Sequence, residues 1–169
     1  MTQRFDPNIP STGPAAPSIE GSFTSPVVIT EHPALGQSNL VVNRNNQFEI
    51  KVSWSVFGNL TPVWLTALSV DSPDWVVTTY AESQGPGPEI KLSTADVPVS
   101  SAPLSLNMQY TATLTVPPRT LPEEDPANPN RSGLYKIVVT VFLNSTLGGS
   151  GYDMIGYAEG PIIKVEDPK

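Results

Sequence analysis

Residues 47–57, QFEIKVSWSVF, alternate along their whole length. Phe48, Ile50, Val52, Trp54 and Val56 fall on one side of an extended chain, and Glu49, Lys51, Ser53 and Ser55 fall on the other. Burying five such side chains at ~1.5–3 kcal/mol each amounts to a gross stabilisation of roughly 8–15 kcal/mol. A slip of one residue would turn all five to solvent, so the register of this strand is firmly specified. Any fold open to the chain must therefore supply a sheet with one face on a core.

Other segments repeat the theme. Residues 107–116, NMQYTATLTV, set Met108, Tyr110, Ala112, Leu114 and Val116 against Gln109, Thr111, Thr113 and Thr115. Pro26–Thr30 is short and β-branched, and its leading proline suits a sheet edge. Strands are also expected over 39–43, 63–70, 75–81, 89–93, 132–144 and within 157–166, where Gly160-Pro161 marks a bulge or bend. Turn signals separate them: Asn43–Asn46, Gly58-Asn59 and Asp71–Asp74. Residues 117–133 hold five prolines without periodicity and read as a long loop. Nineteen prolines and twelve glycines, also without a period, disfavour helices. The expectation is an all-β antiparallel sandwich of seven to nine strands in one domain, residues 23–169. Residues 1–22, with Pro7, Pro10, Pro14 and Pro17 and little to bury, are expected to form a disordered or extended Pro-rich arm. In the extended case the arm would dock on a neighbouring subunit through Phe5 and Ile9.

Charge and composition remove several function classes. The net charge of −7, with only nine Lys and Arg, opposes nucleic acid or an anionic membrane surface as the main partner. The absence of cysteine excludes disulfides, thiol catalysis and Cys-ligated metals. No apolar run reaches the roughly 18 residues of a membrane-spanning helix, and residues 1–22 contain no signal-type apolar stretch. If Met1 is the native start, synthesis as a soluble cytoplasmic product is expected, with a particle or the cell exterior as its further destinations.

Ser132-Gly133-Leu134-Tyr135 precedes the β-branched run KIVVTVFLN. This stretch resembles the corner at the start of strand F in immunoglobulin-like and fibronectin-type domains, where a tyrosine hydroxyl bonds to backbone a few residues upstream. The resemblance extends, as architecture only, over roughly residues 26–166. It implies that role for Tyr135, with Gly133 at the tight entry, and it implies that Trp54 and Trp64 sit on the second and third strands. The chain departs from antibody domains in lacking the cysteine pair. Sandwiches of this type include receptors, adhesins, particle decorations and carbohydrate-binding modules, so the fold does not choose a function.

The chemistry-bearing residues are sparse. His32, the one histidine, has no Ser, Cys or second His near it in sequence to make a triad or a metal site. Glu123-Glu124-Asp125 in the Pro-rich loop and the pair Asp71/Asp74 could serve carboxylate-based hydrolysis or Ca²⁺, but no recognised spacing supports either use. Gly148–Gly151 lacks the lysine and helix of a phosphate loop. Three Asn-x-Ser/Thr sequons, at Asn59, Asn130 and Asn144, matter only in a secretory context. Aromatic side chains are the better candidates. Trp75 and Tyr80 lie on opposite sides of one strand, so at least one points away from the core, and Tyr152 and Tyr157 flank the Gly-rich loop. In the run 132–144, Leu134, Val138 and Phe142 make a second apolar side, with Lys136 and Thr140 interspersed. A two-sheet sandwich covers only one face, so Val138 and Phe142 are expected to be covered by the arm, the Pro-rich loop or a neighbouring subunit.

These observations favour a non-catalytic structural or interaction protein, with no cofactor and no metal, as a subunit or decoration of a larger viral, phage or bacterial assembly. Its partners would be other copies or other protein subunits. The alternative is a glycan-binding module using exposed aromatics, and a carboxylate hydrolase ranks below both.

Overall fold

The computed structural model describes residues 3–33, 40–70, 74–99, 103–128, 130–144 and 153–167. Among the described residues, ten strands and one short helix build two sheets, antiparallel but for one short edge pairing, packed face to face. The smaller sheet is organised by β5 (Gln47–Phe57), whose five alternating apolar residues are all buried. β8 (Asn107–Val116) pairs along the whole of β5 on one side. On its other side β2 (Glu20–Phe23) and β3 (Val28–His32) follow end to end.

The larger sheet runs β10 (Met154–Glu166), β9 (Leu134–Leu143), β6 (Asp74–Ser83) and β7 (Ile90–Pro98), all antiparallel. At the outer edge of β10, β1 (Gln3–Asp6) pairs antiparallel and β4 (Val41–Asn43) pairs parallel. The β9–β10 register shifts between Glu159 and Ile162, across Gly160-Pro161. There proline cannot donate to the ladder. Between the sheets, Trp54 stacks on Tyr110 with ring centroids 5.4 Å apart and meets Trp75 edge-on at 6.0 Å. The Tyr110 hydroxyl donates to the Val99 carbonyl at 2.9 Å, which satisfies a polar tip inside an apolar centre. Burial pushes the Tyr110 pKa up, and the neighbouring Trp75 indole partly offsets this.

Two segments differ from the sequence expectations. Residues 63–70, read as a strand carrying Trp64, instead belong to helix α1 (Thr61–Leu68) and its exit. Pro62 sits in the first turn, where its fixed φ and missing N–H are tolerated. Thr61, Leu65 and Leu68 are buried at a helical spacing, whereas Val63 faces solvent. Trp64 therefore lies on the connection between the sheets.

The N-terminal segment, read as an arm, folds against its own chain. Phe5 is buried, and its ring lies 5.1 Å from that of Phe23. The ring occupies a slot made by Gly21 of β2 and Gly156 of β10, where a Cβ at either glycine would overlap it. Ile9 and Ile19 exchange backbone hydrogen bonds of 2.7 and 3.0 Å, and Ile19 is fully buried. Asn59 clips the intervening Pro-rich turn. Its Oδ1 accepts from the Ser18 N–H and its Nδ2 donates to the Ala16 carbonyl, both at 2.7 Å. Backbone groups that proline-rich sequence cannot pair locally are thus satisfied by one side chain from a distant turn.

Candidate functional site

The period-2 rule sends Trp75, Val77, Thr79 and Ala81 of β6 inward and Val76, Thr78, Tyr80 and Glu82 outward. Trp75 has no exposed surface and is a core residue, so it cannot serve as a contact for a partner or glycan. Of that pair, Tyr80 is the one presented. On β9 and β10 the outward residues are Lys136, Val138, Thr140 and Phe142, with Ile155, Tyr157 and Glu159 beside them.

Register assembles these side chains into rows across the outer face of the larger sheet. One row is Ile155, Phe142 and Val76, closed at its two ends by Asp6 of β1 and Asp96 of β7. The next is Tyr157, Thr140, Thr78 and Thr94, and the third is Glu159, Val138, Tyr80 and Lys91. Neighbouring strands lie about 4.8 Å apart, so side chains within a row touch or nearly touch. Ile155 is 41% exposed, while Val138 is only 4% exposed although it lies outside the sandwich core. Val138 is thus enclosed within the outer face itself, in register between Tyr80 and Glu159.

One end of this apolar and aromatic surface is closed by charge. Lys136 Nζ lies 3.0 Å from Glu159 Oε2, and the Tyr157 hydroxyl donates to Glu159 Oε1 at 3.2 Å. The hydrogen bond from Lys136 holds the Glu159 carboxyl below the usual carboxylate range, and the same contact raises the Lys136 ammonium. Partial burial pushes the Tyr157 hydroxyl up, with the Glu159 charge adding to it. The arrangement presents an apolar centre, two tyrosine rings and a fixed ion pair on one face.

No family model matches this chain, and neither does any curated protein.

The remaining candidates are dispersed. Phe5 is spent on its own chain, and Ile9 is 41% exposed beside the bridge it forms with Ile19. Tyr152 and the Gly148–Gly151 stretch lie outside the described residues, as does Asp71. His32 Nε2 lies 3.2 Å from Glu49 Oε2 on the smaller sheet. Glu123, Glu124 and Asp125 line a polar recess of about 220 Å³ with Arg44 and Arg131, and Arg131 stands 3.8 Å from Asp125. Among the described residues no three His, Asp or Glu side chains come together to hold a metal ion.

Tyr135 is nearly fully buried and donates to the Pro122 carbonyl at 2.9 Å, which pins the long loop to the start of β9. Burial raises its pKa and the nearby Arg131 lowers it. Gly133 enters the strand at φ +66°, where any Cβ would also collide with Glu124. Reading the sequence alone missed the pairing of Lys136 with Glu159. Glu159 lies opposite Val138, so Lys136 is its diagonal neighbour across the two strands, a relation set by register and invisible in local sequence.

Proposed function

We propose that the chain is a non-catalytic interaction subunit, an immunoglobulin-like sandwich whose larger sheet docks on another protein within a larger assembly. The strand order supports the immunoglobulin-like reading: β10, β9, β6 and β7 face β8, β5, β2 and β3, and β4 runs parallel to the last strand. The observation that carries the functional reading is the outer face. Ile155, Phe142 and Val76 form a contiguous apolar row beside two tyrosines, on a face that a two-layer fold leaves to solvent. Charge-depleted aromatic centres with a polar rim are the usual composition of protein interfaces.

The test is partner capture from the native source, followed by light scattering and electron microscopy of the isolated material. Phe142→Asp is expected to weaken assembly by at least about tenfold, and Lys136→Ala is expected to weaken it much less. Equal effects of the two variants, or a lone monomer in native material, would refute the proposal.

A second reading, glycan binding, is favoured by one observation. Tyr80 and Tyr157 stand on the same face, on strands separated by β9 and its Thr140. Glycan-array binding that persists unchanged in Tyr80→Ala/Tyr157→Ala would remove these rings from any such role.

A further inference from the structure

The edge of the smaller sheet carries a separate signal. The Ser53 carbonyl accepts from the Thr24 N–H at 2.9 Å, so the polar backbone groups of Ser53 point away from β8. Ser53 registers with Thr111, which makes that pair a non-hydrogen-bonded one. Thr111 therefore aims its own N–H and C=O outward, along the free edge of β8. By alternation the same holds for Asn107, Gln109, Thr113 and Thr115. Two contacts agree with this parity. The Leu106 carbonyl, one residue out of phase, turns inward to the Gly58 N–H, and the outward carbonyl of Asn107 is taken by the Ser105 hydroxyl at 2.7 Å.

Among the described residues, nothing bonds the outward backbone groups of Gln109, Thr111, Thr113 and Thr115. β7, in the opposite sheet, flanks this edge but pairs only with β6. The other edges are guarded. β7 carries Lys91, Asp96 and Pro98, and β1, β2, β3 and β4 are short. β8 is ten residues long, with no charge, proline or bulge. Folded proteins normally blunt such an edge, because it is a template for another strand.

We infer that β8 pairs antiparallel with β8 of a second copy, about a two-fold axis at Ala112. Only this register joins all four open residues to one another: Gln109 with Thr115 of the copy, and Thr111 with Thr113 of the copy. It places Ala112, the smallest side chain of the strand, opposite itself in the closer non-hydrogen-bonded position. On the inner face Tyr110 then meets Leu114 of the copy, and on the outer face threonine meets threonine, a favourable cross-strand pair. A strand without charge brings no like charges together in this pairing, although the chain as a whole carries −7. The open groups are thus symmetric about one residue, which suits a second copy better than an unrelated strand. This surface lies on the opposite sheet from the aromatic face and does not depend on the role given to that face.

Sedimentation at about 0.15 M salt, where long-range repulsion is screened, should show a reversible dimer in the range up to about 1 mM, the weak end of protein association. Thr111→Lys/Thr113→Lys changes two exposed side chains, the second of them opposite Lys51 of β5, so its fold is checked by circular dichroism and melting before the dimers are compared. It is expected to weaken the dimer by roughly tenfold or more, because it sets lysines opposite lysines. The chain has no cysteine, so Thr111→Cys mixed with Thr113→Cys should give oxidised heterodimer in excess of either homodimer, their Cα atoms being about 5.5 Å apart in the proposed register. Phe142→Asp should leave this dimer intact. A wild-type chain that stays monomeric at about 1 mM, a dimer indifferent to the lysine pair, equal cross-linking of all three cysteine samples, or a dimer lost in Phe142→Asp would each overturn the proposal.

Discussion

The slot that receives Phe5 makes a prediction whose sign depends on background. Gly156→Ala in the wild-type chain puts a methyl group into the space filled by the Phe5 ring. The ring must shift, at a cost typical of overpacking, about 1–3 kcal/mol. Phe5→Ala alone empties the slot and is expected to cost about 3–5 kcal/mol if β1 stays paired. If β1 instead detaches, the cost is capped at its docking energy, which deletion of residues 1–8 measures. In the Phe5→Ala background the methyl group at 156 meets no ring, and removing a strand glycine returns about 0.5–1 kcal/mol. Gly156→Ala therefore turns from destabilising to stabilising. The coupling, about 1.5–4 kcal/mol, is read from urea denaturation of the four proteins in the cycle. Hydrogen exchange on β1 and on the facing part of β10 shows whether the strand lifts off. Additivity within about 0.5 kcal/mol would mean that the ring is not what Gly156 accommodates.

Three further outcomes follow from named contacts. Asn59→Ala removes both hydrogen bonds to the Pro-rich turn and should cost about 1–3 kcal/mol, with faster proteolysis within residues 10–18; unchanged cleavage would show that the clip is dispensable. Tyr135→Phe loses the bond to Pro122 and should cost about 0.5–1.5 kcal/mol while raising hydrogen exchange within 117–131, and exchange unchanged there would free the hydroxyl of that task. The Lys136–Glu159 pair should couple at neutral pH and uncouple in acid. Because the folded-state pKa of Glu159 is depressed, its stabilisation is present above the unfolded-state value near 4.3 and is lost as pH falls through the lower folded one. A Lys136→Met/Glu159→Gln cycle should accordingly show coupling at about pH 7 and none at about pH 2, and coupling that survives in acid would contradict the assignment.

β5 and β8 were legible to the residue, because each has one face on the core and one in solvent, and a strand so placed writes its period into the sequence. β9 was legible as a strand, and its second apolar face was visible too. What encloses Val138 was not, since the cover is assembled from β6 and β10 by register. Helix α1 was lost because two turns containing Val63 and Trp64 have no stronger helical than strand signature, and the buried set Thr61, Leu65 and Leu68 begins with a polar residue. The fold of the N-terminal segment depends on Gly21, Asn59 and Gly156, residues whose value to Phe5 and Ser18 exists only once the sheets have formed. Local composition cannot express that. Trp75 and Tyr80 show the same limit in small: alternation puts them on opposite faces, but which face is the core is decided by the other sheet.

The outer edge of β10 is shared by the chain's first strand and by β4, so two early segments wait for the last one to be made. A chain emerging from the ribosome can form the β5 hairpin partners early, yet Phe5 and Val42 have no sheet to join until residues near the other end arrive. Folding of these sheets is then completed only once β10 has been made, with high contact order, and is slow relative to helical domains of similar size. Until that closure the nascent chain exposes the uncharged β8 edge together with an unfinished core, and it is in this interval that it depends most on dilution or on chaperones.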